Sequence, residues 1–569
     1  MSLKIPSEDL DLWVREIIDE CMGSSQDRGQ VYTKASQYYY QGTQDARAAI
    51  YNKCKAFVDK LAGFLMQPTD VRFQVLFDSA EGDSANERAQ LVSEKLSADF
   101  QATDSDVTFA EAVVWSLNNG CQLLKIRPSE HTFKVQPVHP QNFGVLSETI
   151  VTLDEQEAFC HVSFPTVSRV RQMLDEMEHP RVAEIIGQIL EEPKQGDEEQ
   201  PTYFHQMVVG GLHPAGTPGG EPPQAAGIVN VFPVPTPWRP QKKISRTVKH
   251  CELWVKDRDR DGEWTTMQVI YGAKPIIIYG EVERKNLSRV PGHHSFIKVQ
   301  PQNTPGYFWG RSIIADVQML QDLLNKRLRD LKTMWDRNVN APQVLSGFTS
   351  ITEEMYFKII NEGGFLNDAN PNAKATKLLE PPPQGYLEEL EFIWKMFDEA
   401  SGFSPIMSGQ GEPGVRAGVH AQTLVRTSSP RLIDQAARIE RQLAETGHMG
   451  LRIQQAMDPF VYQTEDTHIE FTLAQLPDGY QVIVDSHSAS PAFAEDNRQL
   501  AIALARAGAV DAEDLVHMLH PPGAQLILSR LRKRQKEQQK AKEKEEQIEL
   551  MKSVLHLPTK KAGSRKAKG

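Results

Sequence analysis

Residues 312–335 read SIIADVQMLQDLLNKRLRDLKTMW. Apolar side chains fall at Ile313, Val317, Leu320, Leu324, Leu328, Leu331 and Trp335, at spacings of four, three, four, four, three and four. That period draws one apolar stripe down a single helix of roughly 34 Å. The opposite side carries Asp316, Asp322, Lys326, Arg329, Asp330 and Asp336, and Pro342 stops the pattern. The insert 341–383 has room for short strands at Val344-Leu345, Phe365-Leu366 and Thr376–Leu379 and for a helical stretch, Thr352–Ile360, before the three prolines Pro381–Pro383. A second helix-compatible stretch covers Gln384–Ala400. After a Gly-rich segment, a long amphipathic pattern runs from Ala417 to Met457, with Pro430 expected to kink it. Helix, insert, helix, loop and long helix, in that order, build the wall of a channel more readily than a pocket.

Upstream, the first 70 residues read as helices. Ile50, Cys54, Phe57, Val58, Leu61, Phe64 and Leu65 lie on one face between Asp45 and Gln67, where Pro68 ends the helix. Further helices are expected over Leu91–Ala102 and over Phe109–Asn118, the latter closed by Asn119-Gly120. The period then shortens to that of strands at Gln122–Ile126, Phe133–Val138, Glu157–Phe164 and Tyr203–Val209. Pro193–Pro240, with Pro222-Pro223 and Pro233-Val-Pro-Thr-Pro237, reads as a long surface excursion. Glu252–Val255 and Trp264–Ile270 should pair around Asp257-Arg-Asp-Arg-Asp-Gly262. Downstream, Thr467–Leu473 and Gln481–Asp485 read as strands. Leu500–Ala507, Asp511–Leu519 and a charged rod from Gln525 to about Leu555 read as helices, with Pro558–Gly569 as a basic, disordered tip. The fold class expected is therefore α+β, mainly helical.

The chain has 569 residues, 40% hydrophobic and 24% charged, enough for several domains and a sizeable core. Its net charge of −12 is unevenly spread. The segment 529–569 holds 14 Lys/Arg against 5 Glu, so the tail is +9 and the rest −21. An acidic body argues against gripping a nucleic-acid backbone over the whole surface, and a basic tail suggests one local contact with nucleic acid or an acidic protein. Cys21, Cys54, Cys121, Cys160 and Cys251 show no CxxC spacing, as expected of reduced, buried thiols. Ser7, Glu8, Asp9 and Asp11 stand where a leader peptide would be basic and then apolar. Apolar windows such as Val269–Tyr279 fall short of the roughly 18 residues that span a bilayer, so no membrane is expected.

Motifs for chemistry are sparse. Asp257-x-Asp-x-Asp-Gly262 matches half of a calcium loop, but its twelfth position is Gln268 and its flanks read as strands. A hairpin turn suits it better. His293-His294-Ser295 invites a metal or hydrolase reading without a partner at helical or hairpin spacing. No GxxxxGK[ST], HExxH or GxSxG occurs. No catalytic residue, metal or cofactor is expected. The segment Ser408-Gly-Gln-Gly-Glu-Pro-Gly-Val-Arg-Ala-Gly418 follows no strand and lacks the Lys-Ser/Thr of a phosphate cradle. What Gly409, Gly411, Gly414 and Gly418 offer is backbone freedom around Glu412 and Arg416.

Several of these stretches together resemble the portal proteins of tailed bacteriophages. They are Phe308-Trp-Gly-Arg-Ser312, the following helix with Asp316, Gln318-x-Leu320-Gln321 and Asn325, and then Asn340-Ala-Pro-Gln343. Gly409-x-x-x-Pro-Gly-Val-Arg-Ala-Gly418, leading to Arg426 and Ile439-Glu440, is similar to the same family. So are Val138-His-Pro-Gln-Asn-Phe-Gly-Val145 and Ala507-Gly-Ala-Val510 through Leu519-His-Pro-Pro522. The resemblance rests on the order of loose motifs over nearly the whole chain.

The resemblance implies a ring, usually of twelve subunits, at one vertex of the capsid in the virion, assembled in the host cytoplasm. It implies a wing over 1–305, a first stem helix over 306–340, a clip over 341–383 and a second stem helix over 384–402. A tunnel loop would follow at 403–418, a long kinked helix and return to the wing at 419–494, and a crown with a charged helix and basic tail at 495–569. Double-stranded DNA would pass through the ring. Terminase large subunit and then a head–tail adaptor would dock on it, and major capsid and scaffolding proteins would surround it. The implied DNA-channel residues are Gly409, Gly411, Glu412, Gly414, Arg416 and Gly418 with Lys326 and Arg329. A charge change at Arg416 is expected to alter DNA retention more than ring assembly. The alternatives are another virion protein, such as a head–tail adaptor without the insert between paired helices, or a hydrolase using His293 and His294.

Overall fold

The computed structural model describes residues 2–6, 8–44, 51–66, 71–77, 83–176, 179–190, 247–271, 275–279, 290, 292–339, 343–347, 349, 352, 354–356, 358, 370–377, 385–401, 430–457, 460–463, 470–476, 479–484, 501–508, 510, 512, 515–516, 527, 530–531 and 534. The chain divides into two compact units, residues 1–485 and 486–569. In the second, 501–507 are helical and Ala501 is buried. The rest of this subsection concerns the first unit, which is α+β and whose strand pairs are all antiparallel among the described residues.

Its centre is a five-stranded sheet in the order β4 (Phe143–Val145), β5 (Ala158–Ser163), β6 (His250–Asp257), β7 (Glu263–Tyr271), β8 (Pro275–Ile278). Side chains alternate across a strand, so the register sorts them by face. Cys160 and Val162, Cys251, Leu253 and Val255, and Met267 and Val269 share one face, which packs on Val14, Ile17, Ile18 and Cys21 of α1 (Leu10–Met22). The other face presents Phe159, Trp254 and Trp264 to Phe143, Phe296, Phe308 and Trp309. Because both faces are covered, β6 is buried almost along its whole length. Helices α6 (Val167–Glu176) and α7 (Val182–Leu190) close one end of the sheet through Val170, Leu174, Ile185 and Ile189 against Ile270 and Ile278.

A second sheet, β3 (Thr132–Val138), β2 (Gln122–Ser129) and β9 (Phe296–Val299), lies beside it. Helices α2 (Ser25–Gln41), α3 (Lys53–Leu65), α4 (Asp83–Ala102) and α5 (Ser105–Asn119) surround this layer. Asn52 caps α3 by accepting from Lys55 N at 3.0 Å. Strand β1 (Phe73–Phe77) pairs with β14 (Tyr480–Val484), over 400 positions away. Helix α8 (Ile314–Val339) and helix α9 (Tyr386–Ser401) are separated by a two-stranded ladder of β10 (Gln343–Ser346) and β11 (Lys374–Lys377). Helix α10 (Pro430–Met457) then lies on the three-stranded sheet and on the β1–β14 pair. A side chain at Gly447 would sit 2.5 Å from the Phe73 ring, and one at Gly450 2.5 Å from the Phe133 ring. Strands β12 (Val461–Gln463) and β13 (Glu470–Thr472) form a small ladder of their own.

Several expectations shift against this structure. Helix α4 begins at Asp83, eight positions before Leu91, because its first two turns are polar and carry no apolar period. Helices α6 and α7 stand where no element was placed. Pro430 is the first described residue of α10, and the stretch 417–429, where the expected long helix would begin ahead of a kink, lies outside the described residues. The expected strands Phe365-Leu366 and Tyr203–Val209, the excursion 193–240 and the loop 403–418 lie outside the described residues, as do most of the charged rod and the basic tip.

One close approach fixes where α8 starts. Gly120, at φ +98°, and Gly310, at φ +71°, cross backbone to backbone, and a Cβ on Gly310 would meet Gly120 O at 2.6 Å. Ile313 N donates to Leu117 O at 3.0 Å just beyond the crossing. Gly310→Ala should therefore cost about 2–4 kcal/mol, from left-handed strain plus overpacking. Gly262, equally left-handed at φ +81° but with nothing within 4 Å, is the control. Urea unfolding should show Gly262→Ala losing only about 1–2 kcal/mol; equal losses would remove the role assigned to the crossing.

Candidate functional site

Of the residues singled out by sequence, Lys326 and Arg329 lie on α8, which pairs with α9 and is anchored from above by buried amides. The Gln321 side-chain oxygen accepts from Lys53 N at 3.0 Å and Cys54 N at 3.2 Å, which caps the start of α3. Its amide nitrogen donates to Tyr51 O at 2.9 Å and to Asn325 Oδ1 at 3.0 Å, and Asn325 Nδ2 donates to Gly42 O at 2.8 Å. Tyr38 hydroxyl donates to Asp322 at 2.6 Å, and burial, with Asp322 nearby, pushes the Cys54 thiol up to about 12. Lys53 reaches across to α9, donating to Trp394 O at 2.8 Å with its ammonium 3.9 Å from the Trp394 ring centre.

A second clamp holds the segment that leads into α8. Arg28, 5% exposed, lies 3.8 Å over the Trp309 ring, donates to Glu148 at 2.8 Å and donates to Phe143 O at 2.9 Å. Trp309 Nε1 donates to the same carboxylate at 2.7 Å. The Phe308-Trp-Gly-Arg-Ser312 motif is thus the hinge point where helix, sheet and α8 are pinned together.

Below these anchors the helices are bare. On α8, Val317, Gln321, Leu324 and Asn325 are buried, but no residue from 326 to 339 is. Trp335 is 65% and Val339 71% exposed; on α9, Leu387 is 67% and Phe392 62% exposed, while Ile393 and Phe397 are buried. The expected apolar stripe therefore splits: its upper part packs within the chain and its lower end faces outward. The charges differ in sign. Residues 326–339 hold five basic and two acidic side chains, and α9 holds five acidic and one basic. Within the chain Arg327 and Glu389 use this complementarity at 2.8 Å, next to a Tyr386 hydroxyl that donates to Arg327 O.

Of the expected channel residues, Lys326 is exposed on α8 and Arg329 is half-buried one turn on. Gly409, Gly411, Glu412, Gly414, Arg416 and Gly418 lie outside the described residues. The five cysteines are all buried and free. His293 and His294 are built into the fold. His294 pairs with Asp154 at 3.0 Å, accepts from Phe296 N at 3.3 Å and sits edge-on to Trp264, while His293 meets Arg452 at 3.2 Å. The Asp257–Gly262 turn joins two strands, as a hairpin should, and Asp257 is spent on Asp259 N at 3.0 Å and Arg260 at 3.6 Å. Among the described residues no group of His, Cys, Asp or Glu could hold a metal ion, and no helix is long and apolar enough to cross a membrane.

The exposed α9 residues were not singled out by sequence, although a signal exists. Phe392-Ile393-Trp394 puts three large side chains at consecutive positions, and a helix resting on one neighbour cannot bury all three.

No protein-family model matches the chain, and no curated protein does. Among solved structures, a chain from the virion of a native gene transfer agent particle is similar over 87% of this chain and 93% of that one. The identity is 9% and the TM-score 0.38, a similarity so remote that function has to be argued from the residues themselves.

Proposed function

We propose that this chain is the subunit of a portal ring: many copies close around a channel through which double-stranded DNA enters and leaves a phage capsid. One observation carries the reading. Helices α8 and α9 are fixed rigidly at their upper ends and expose Trp335, Val339, Leu387 and Phe392 below, on flanks of opposite charge. Such a surface calls for a covering partner. The basic half of one α8 and the acidic α9 of the next copy suit a head-to-tail contact, and repeated contacts of that kind close into a ring. The ladder of β10 and β11 between the two helices would then project as a collar where a terminase large subunit, and later a head–tail adaptor, dock. Major capsid and scaffolding proteins would meet the wing.

The charge suits sliding. A dozen copies at −12 each carry roughly −144, so phosphate affinity stays low and the duplex moves freely. Rings of Lys326, Arg329 and Arg416 would supply cationic levels along the channel. A head–tail adaptor is the runner-up, and the insert between paired helices favours the portal.

Images and sedimentation of the purified full chain test this. The expected result is a ring with a central hole wide enough for duplex DNA. Phe392→Glu and Trp335→Glu together should shift the protein to single chains with unchanged circular dichroism. A wild-type chain that stays monomeric at tens of micromolar, or rings indifferent to both substitutions, would defeat the proposal. Particles carrying one ring at one vertex distinguish a portal from an adaptor stacked beneath it.

A further inference from the structure

Three of the five thiols meet in one place. Cys21 on α1, Cys160 on β5 and Cys251 on β6 share the core on one face of the five-stranded sheet, each at most 1% exposed. Cys160 is hydrogen-bonded to both of the others, and those two bonds, Cys21 first, hold its thiol well below the ordinary range against the opposing effect of burial. Nowhere among the described residues do three such ligands form a group that could hold a metal ion, so the chemistry open to the trio is sulfur with sulfur.

Geometry chooses the pair. Cys160 stands opposite Leu253, and Cys251 opposite Val162, so these two cysteines are diagonal neighbours on adjacent strands. Diagonal positions lie about 7–8 Å apart, beyond the roughly 4.4–6.8 Å between Cα atoms that a disulfide spans. Cys21 arrives differently. Gly144, the register partner of Cys160, has no side chain, and a Cβ there would lie 2.5 Å from the Cys21 carbonyl oxygen. The end of α1 therefore rests on bare strand backbone beside Cys160.

We propose that Cys21 and Cys160 are an oxidation site, forming a disulfide that staples α1 to the five-stranded sheet while Cys251 remains a thiol. With a small disulfide such as oxidised glutathione as oxidant, the Cys160 thiolate attacks one of its sulfurs, breaks its S–S bond and releases one thiol. In the opened segment the Cys21 thiol gives its proton to solvent and attacks the Cys160 sulfur of the mixed disulfide, releasing the second. Two protein thiols are oxidised, the small disulfide is reduced to two thiols, and the two protein protons end on those leaving groups. Because the sulfurs are covered, the first attack waits on local opening of α1, so the reaction is slow and accelerates in mild denaturant.

The test incubates the full chain with oxidised or reduced glutathione, then combines non-reducing peptide mapping with calorimetry. A Cys21–Cys160 linked peptide is expected, with Tm raised by about 5 °C. The link should survive Cys251→Ser and vanish in Cys21→Ser and Cys160→Ser. Glutathione adducts without an internal bridge, a Cys160–Cys251 link, or a bridge that leaves Tm unmoved would each overturn the proposal. The wild-type map alone decides the first two, whether or not the variants fold.

Discussion

Glu252→Ala should be among the most damaging single substitutions in the chain, with an expected loss of about 3–5 kcal/mol. Glu252 is 5% exposed on β6, between the two sheets. Its carboxylate pairs with Lys125 of β2, lies 3.9 Å from His161 and accepts from Trp254 Nε1 at 2.9 Å. Burial pushes the carboxyl up, yet Lys125 and His161 outweigh it and hold it well below the usual carboxylate range. Removing it leaves the Lys125 ammonium stranded in the interior with Arg127 close by. That uncompensated charge, and not the lost attraction, is the main cost. The double variant Glu252→Leu, Lys125→Met should accordingly recover most of the loss, and a urea-unfolding double-mutant cycle would show strong coupling. A single-variant loss under about 1 kcal/mol would mean that water already reaches the pair.

The same network marks the limit of what sequence reading could reach. His250-Cys-Glu-Leu-Trp-Val255 reads as a strand, and its pairing with Trp264–Ile270 around the Asp-Gly turn is local, so both were legible. Which polar side chains of that strand point inward depends on a second sheet whose residues are over 100 positions away, and no periodicity reports that. The pairing of β1 with β14 is invisible for the same reason. Helices α6 and α7 are a different case. Val167, Val170 and Leu174, and then Ile185, Ile186 and Ile189, are spaced as helices should be, so the signal was present between a strand and a Pro-rich stretch.

The candidate site was half legible. The stripe from Ile313 to Trp335 located α8 correctly, but a period cannot say which end of a stripe its own chain covers. Gln321 and Asn325 read as polar positions, yet Gln321 is fully buried because it caps another helix. Lys53, conversely, looks like a surface residue and is 7% exposed, tied to α9. Polar residues that serve a neighbouring element's backbone are the ones that a one-dimensional pattern assigns to solvent.

Acidification should then unfold the protein well above the pH at which carboxylates titrate. Burial drives His250 and His139 down to about 4, with Lys125 and His161 reinforcing the effect at His250 and Glu252 opposing it. His448 is also lowered to about 4, by burial and then by Arg452 and His293, and His161 and His293 are lowered chiefly by burial. Each folded value lies below the value of about 6.5 for an unfolded histidine, so the unfolded chain takes up protons first. Stability is therefore full above about pH 6.5 and falls as the pH drops toward 4. At pH 5, His250 and His139 should each cost ~2 kcal/mol relative to pH 7.5, and the more exposed His448 and His293 less, through solvent screening. Below about pH 4.5 the unfolded chain also takes up a proton at Glu252 that the folded carboxylate, held well below the usual range by Lys125 and His161, does not, and this steepens the loss. Urea midpoints at pH 7.5, 6 and 5 read this directly, and His250→Gln should flatten the slope by the share assigned to it. Midpoints that hold constant from pH 7.5 to 5 would show that these imidazoles are already charged in the folded chain, and the interior between the two sheets would then have to be wet.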